Sequence, residues 1–243
     1  MPAPAVDVLG VPVAPFDLER AVAYLDAALD GDRPVHVVTA NPEFVMHARR
    51  DRSLLASPPG GELLVLPDGI GLVLAGRLLG ARLPGRARGR ELVVRLAESA
   101  ARRGAPVYLL GAREGVAERA AELLRHAIRG LRAAAYAGSA DDDEDGVSHV
   151  AACAPVVLFV AYGMPKQERW IARNLARLPS VRVAVGVGGA FDYLAGTARL
   201  PPRWVARVGL EWLWRLANEP WRWRRQLVLP LFLLLVLRER LAR

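Results

Sequence analysis

Val35-His36-Val37-Val38-Thr39-Ala40-Asn41-Pro42-Glu43-Phe44 is the stretch on which the fold turns. Val35 to Thr39 carries three valines and no acidic or cationic chain except the titratable His36, which reads as a strand covered on both faces. Asn41 can cap a helix with its side-chain oxygen, and Pro42 suits the first helical position, where no N–H is required. A buried strand running straight into a capped helix is the opening of a βαβ unit. The same order recurs downstream. Leu63 to Leu66 precedes Pro67-Asp68-Gly69 and a helical stretch to Leu79. Val107 to Leu110 precedes Gly111 and a helix from Gly115 to Arg129. Val156 to Ala161 precedes Gly163 and a helix around Trp170, and Val181 to Val185 precedes Gly186-Val187-Gly188-Gly189. Apolar strands alternating with helices predict an α/β fold over residues 1–200: a Rossmann-like parallel sheet flanked by helices. No internal repeat is evident.

The 243 residues are 53% hydrophobic, enough for one substantial core, and the single Cys153 excludes a disulfide-stapled miniprotein. A charged fraction of 24% argues against a disordered chain. The formal charge of +8 favours an anionic partner: a phosphorylated substrate, anionic lipid or nucleic acid. Lys166 is the only lysine, so the positive charge is carried by arginine, which suits bidentate phosphate contacts. Met1 to Gly10 lacks the basic and apolar regions of a signal peptide, which predicts a cytoplasmic protein.

Composition changes near residue 200. Trp204, Trp212, Trp214, Trp221 and Trp223 lie beyond it, interleaved with Arg203, Arg207, Arg215, Arg222, Arg224 and Arg225. The pattern predicts two helices broken near Glu219-Pro220. The apolar run Leu227 to Leu237 would span roughly 16 Å as a helix, about half of a ~30 Å hydrocarbon core. Residues 201–243 therefore read as a helical pair packed on the domain or, more sharply, as a membrane-associating appendage. In the sharper reading tryptophan sits among headgroups, arginine meets phosphate and leucine enters the acyl boundary.

In parallel sheets, ligands bind beyond the carboxyl ends of the strands. Four polar segments fall there: 39–43, 67–69, 163–168 and 186–192. Asp141 to Asp145 invites a metal reading, but an acidic helix start accounts for such a run more simply. His36, His47, His126 and His149 show no metal spacing, and Cys153, among alanines, reads as a small buried residue.

Five stretches in this order carry a resemblance: TANPEF at 39–44, LPDGIG at 66–71, GMPKQERW at 163–170, GVGGAFDYLAG at 186–196 and GLEWLWRLANEPWRWRR at 209–225. Together they resemble the WecG/TagA/CpsF family of glycosyltransferases. Two positions depart from the family pattern: Glu91 replaces an aspartate after Gly89-Arg90, and Leu200-Pro201-Pro202 replaces Arg-Ala-Pro, with Arg199 one place earlier.

The resemblance implies an inverting hexosyltransferase, and since neither the acidic run nor the histidines offer a ligand set, no metal or cofactor is expected. The donor would be a UDP-sugar, by family default UDP-N-acetylmannosamine. The acceptor would be a polyprenyl-diphosphate-linked sugar in cell-surface polysaccharide or teichoic acid synthesis. Asp68 becomes the general base for the acceptor hydroxyl, although from position alone it could cap the helix after Gly69. Thr39 and Asn41 would hold sugar hydroxyls or the acceptor, and Asn41 could also cap its helix. Gly163, Gln167, Glu168, Gly186, Gly188, Gly189 and Asp192 would bind the donor, with Arg86 on a phosphate. Lys166 would touch phosphate or lie in solvent. Arg215, Arg222 and Arg225 would clamp the lipid diphosphate. The expected place is the inner face of the membrane, on its anionic surface, and a homo-oligomer is left open. The rival reading is a nucleic-acid-binding protein that uses the Arg/Trp tail, which the leucine run fits poorly.

Overall fold

The computed structural model describes residues 4–202, 204–205, 209–220, 223 and 227–242. A short antiparallel hairpin, β1 (Val6–Val8) and β2 (Val11–Val13), precedes helix α1 (Leu18–Ala28), whose first turn is capped by the Asp17 carboxylate. Then come β3 (Val35–Ala40), α2 (Pro42–Arg50), β4 (Glu62–Pro67), α3 (Ile70–Leu78) and α4 (Gly89–Arg102). The second half runs β5 (Pro106–Gly111), α5 (Val116–Ala127), β6 (Arg132–Tyr136), α6 (Asp143–Cys153), β7 (Val157–Ala161), α7 (Lys166–Asn174), β8 (Val183–Gly186) and α8 (Ala190–Leu194). Among the described residues, helices α9 (Glu211–Asn218) and α10 (Val228–Ala242) follow.

The six strands β3 to β8 form one sheet, order β4-β3-β8-β7-β5-β6, and every pair is parallel. The predicted α/β sheet flanked by helices is the one observed. Alternate residues of each strand enter opposite layers, as a period of two requires. Val35, Val37, Leu109, Phe159 and Val185 pack under α1, α4, α5 and α8. On the other face Val38 and Val65 meet α2 and α3, while Leu110, Leu158 and Val160 meet α6 and α7.

The edge strand β6 has no counterpart in the sequence reading. Arg132-Ala133-Ala134-Ala135-Tyr136 is rich in alanine, a helix former, and pairing along β5 overrides that preference. The acidic run starts a helix: Asp142 caps α6 by accepting from the Asp145 N–H, Asp143 pairs with Arg173 at 2.8 Å, and Glu144 pairs with Arg177 at 2.7 Å. Cys153 is half-buried rather than buried.

The C-terminal apolar run forms α10, and it is not free. Phe232 and Val236, one turn apart, are buried in the same core as Phe44, Val45 and Val73. Leu227, Leu234, Leu237 and Leu241 lie on the opposite side of the helix, at 61%, 62%, 42% and 88% exposure. The run is thus apolar on two faces, one packed on α2 and α3 and one open.

His36 lies on β3, between β4 and β8, is 1% exposed, and neither ring nitrogen has a hydrogen-bond partner among the described residues. Burial pushes its pKa down to about 3. The unfolded chain therefore binds a proton more readily than the folded one below the ordinary histidine pKa of about 6.5. Stability should fall as pH drops through that window, by up to about 1.4 kcal/mol per pH unit from this residue. Urea denaturation of the wild type and His36→Leu between pH 7.5 and 5 measures it. The variant should lose less stability on acidification; equal slopes would mean that His36 is not held neutral.

Candidate active site

The order of strands reverses between β3 and β8, which leaves a crevice at their carboxyl ends. There the ends of β3, β4, β5, β7 and β8 open into one cavity of about 780 Å³. Asp68 stands in its wall immediately after β4, half-buried. Its backbone N–H donates to Ala40 O at 2.9 Å, fixing the end of β4 against β3. Asp68 does not cap α3, whose N-terminal residue Gly69 has no side-chain cap. Its carboxylate instead lies near the backbone N–H of Gly89, at the start of α4, which favours its ionised form. Burial and the nearby Glu211 carboxylate push the Asp68 pKa up to about 6, against the lowering effects of the Gly89 N–H, Arg90 and Arg88. A carboxylate so tuned is ionised at neutral pH yet basic enough to take a proton.

Thr39 lines the same cavity, and its hydroxyl donates to Gly186 O at 2.7 Å, tying β3 to β8. Asn41 is the cap of α2: its Oδ1 accepts from the Phe44 N–H at 3.0 Å. Both reach the cavity while holding its frame.

The Gln167 side chain joins two turns. Its Oε1 accepts from the backbone N–H groups of Gly163 at 3.2 Å and Gly188 at 3.0 Å. Its Nε2 donates to Glu168 Oε1 at 2.8 Å. A side chain at Gly186 would collide with this amide, since an added Cβ would lie 2.7 Å from Gln167 Nε2. Glu168 is 1% exposed, and burial pushes its pKa up to about 7.

The far wall comes from the C-terminal helices. Glu211, Trp212 and Arg215 of α9 and Leu229, Phe232 and Leu233 of α10 line the cavity, facing Leu74 and Leu78 of α3. The Arg215 guanidinium lies over the Tyr193 ring, 5.3 Å from its centre, and beside Gly189, where an added Cβ would come within 2.8 Å of Nη2. One cavity thus has a polar floor with a candidate base and an apolar mouth.

Residues 6–243 match the glycosyl transferase WecG/TagA/CpsF family. The chain belongs to this family. It is 33% identical over 93% of its length to an N-acetylglucosaminyldiphosphoundecaprenol N-acetyl-beta-D-mannosaminyltransferase of Bacillus spizizenii, 88% of which is covered. Proteins of the same name from Bacillus subtilis and Staphylococcus aureus are 32% and 30% identical, each over 94% of this chain and 90% of the relative. The protein is a glycosyltransferase of the hexosyl-transferring kind, and nothing in these matches supports the nucleic-acid reading.

Of the site residues expected for the glycosyltransferase, Thr39, Asn41, Asp68, Arg86, Gly163, Gln167, Gly188, Gly189, Asp192 and Arg215 all line the cavity. Glu168 and Gly186 do not. They lie one layer behind, where Glu168 holds the Gln167 amide and Gly186 accepts from Thr39. Arg222 and Arg225 lie outside the described residues. Lys166 points to solvent and pairs with Asp141 at 3.2 Å. Asp192 accepts from Arg113 at 3.1 Å, which brings a further cation from the loop after β5 to the cavity. The sequence reading passed over Arg88, Arg90, Arg113 and Glu211. The alternating arginines at 86, 88 and 90 were a visible signal for the first two; nothing local marked Glu211 as their partner.

Proposed function

We propose that this transferase moves N-acetylmannosamine from a UDP donor to N-acetylglucosamine linked to undecaprenyl diphosphate, in cell-surface polysaccharide or teichoic acid synthesis. The names of the relatives support donor sugar and acceptor. The observation that carries the reading is the meeting of Asp68 and an apolar wall in one cavity. An acceptor with a sugar at one end and an isoprenoid at the other needs both.

In this reading the donor diphosphate lies against the Gly163 and Gly188-Gly189 turns, whose shape the Gln167 amide holds, and Arg113 offsets its charge. Asp192 accepts from the uracil ring. Thr39 and Asn41 orient sugar hydroxyls. Asp68 takes the proton of the acceptor hydroxyl as its oxygen bonds to the anomeric carbon. The carbon–oxygen bond to phosphate breaks on the opposite side, and UDP leaves with the electron pair, so the configuration inverts. Arg86, Arg215, Arg222 and Arg225 hold the acceptor diphosphate. Glu168 acts from behind Gln167 rather than on the donor.

We further propose that residues 1–200 form the catalytic domain and residues 201–243 an appendage that seats it on the anionic inner face of the cell membrane. Among the described residues no helix is long and apolar enough to cross a membrane. The open leucine face of α10 instead suits an interfacial helix that lies along the surface. The test is direct: purified protein is given a panel of UDP-sugars and an N-acetylglucosaminyl-diphosphoryl lipid, and products are identified by mass spectrometry. Transfer of one N-acetylhexosamine from UDP-N-acetylmannosamine is expected. Transfer from another UDP-sugar alone would overturn the donor assignment, and no product with any lipid-linked acceptor would overturn the acceptor class.

A further inference from the structure

One carboxylate holds three arginines at the edge of the cavity. Glu211 Oε1 lies 3.1 Å from Arg88 Nη2, 3.5 Å from Arg90 Nη2 and 3.9 Å from Arg86 Nη1. All four side chains are mostly buried, between 15% and 21% exposed. The arginines belong to the segment that enters α4, whereas Glu211 opens α9, so the cluster fastens the C-terminal helices to the catalytic floor. Arg88 also pairs with Glu91 at 2.7 Å, and Arg90 lies over the Tyr193 ring. Asp68, Arg86 and Glu211 line the same cavity, and among the described residues Glu211 raises the proton affinity of Asp68 beyond the effect of burial while Arg90 and Arg88 lower it. Glu43, at the start of α2, lines the same cavity.

We propose that Glu211 is a positioning residue for sugar transfer: docking of α9 brings one carboxylate that gathers the arginines and sets the charge balance around Asp68. Without it, Glu91 alone would offset the Arg88 and Arg90 charges, and the excess positive charge would hold Asp68 as a weak, well-stabilised anion. With it, Asp68 keeps the basicity that proton removal needs. The inference rests on Asp68 being the base, and it makes the appendage part of the reaction chemistry as well as a wall of the cavity.

The test reads Asp68 itself. The carboxyl carbon of Asp68 is followed by 13C NMR in aspartate-labelled protein, assigned by its loss in Asp68→Asn. Glu211→Gln should lower the titration midpoint by about one pH unit. The acid limb of kcat/KM should move with it. Glu211→Asp, which keeps the charge, should bring the midpoint back toward the wild-type value. Arg90→Gln should shift it upward, a sign that loosened packing would not reproduce. An unchanged midpoint in both Glu211→Gln and Arg90→Gln overturns the proposal. The NMR midpoint does not depend on what Asp68 does, so a fully active Asp68→Asn would instead sink the reading of Asp68 as base.

Discussion

Asp68→Asn should lower kcat by about 10²–10⁴-fold, the usual contribution of a general base, with donor affinity and thermal stability close to wild type. Stability is expected to hold because Asn is nearly isosteric with Asp and the substitution removes a charge that burial disfavours. The pH profile supplies a second reading. With the Asp68 pKa pushed up to about 6, the base is protonated below that pH and free above it. The rate should therefore climb from pH 5 to 7 and then level. Steady-state kinetics with a water-soluble, short-chain acceptor measures both effects without the membrane. Wild-type turnover in Asp68→Asn would show that the carboxylate only steadies the start of α4.

Where strand and helix grammar is local, the sequence carried the fold. Val35 to Thr39 announced β3 because a sheet covered on both faces demands unbroken apolar residues, and Asn41-Pro42 announced α2 because capping is chemistry between near neighbours. The same holds for β4, β5, β7 and β8. β6 escaped because its alanines point to helix unless β5 is already in place beside them. The site divides the same way. Asp68 follows β4 directly, and Gln167 and Asp192 lie in the first turns of the helices after β7 and β8; that is the edge where parallel sheets put their ligands, so all three could be picked from position and residue type. Glu211 could not. Its partners are 121 to 125 residues earlier, and only the fold brings them within reach. Glu168 shows the reverse error: a polar residue in the right segment that lies behind Gln167, which is equally buried but reaches the cavity wall.

In the proposed membrane seating, the face of α10 opposite the core is the part that meets the surface. Deleting the whole helix would also remove Phe232 and Val236 from the core they share with Phe44 and Val73, so loss of binding and loss of folding would be confounded. A substitution confined to the open face separates them. Leu227, Leu234, Leu237 and Leu241 changed together to glutamine leave the packed face untouched. Moving a partly exposed leucine from water into acyl chains contributes about 1 kcal/mol, so the four together should weaken binding to anionic vesicles on the order of 10³-fold. Turnover of a soluble, short-chain acceptor should stay near wild type, because none of the four lines the cavity. Turnover of the full-length polyprenyl acceptor in vesicles should fall with binding. Vesicle sedimentation and the two assays run side by side read all three. If the quadruple variant binds vesicles as tightly as wild type, the leucine face serves packing against another surface and the proposed seating through α10 is wrong.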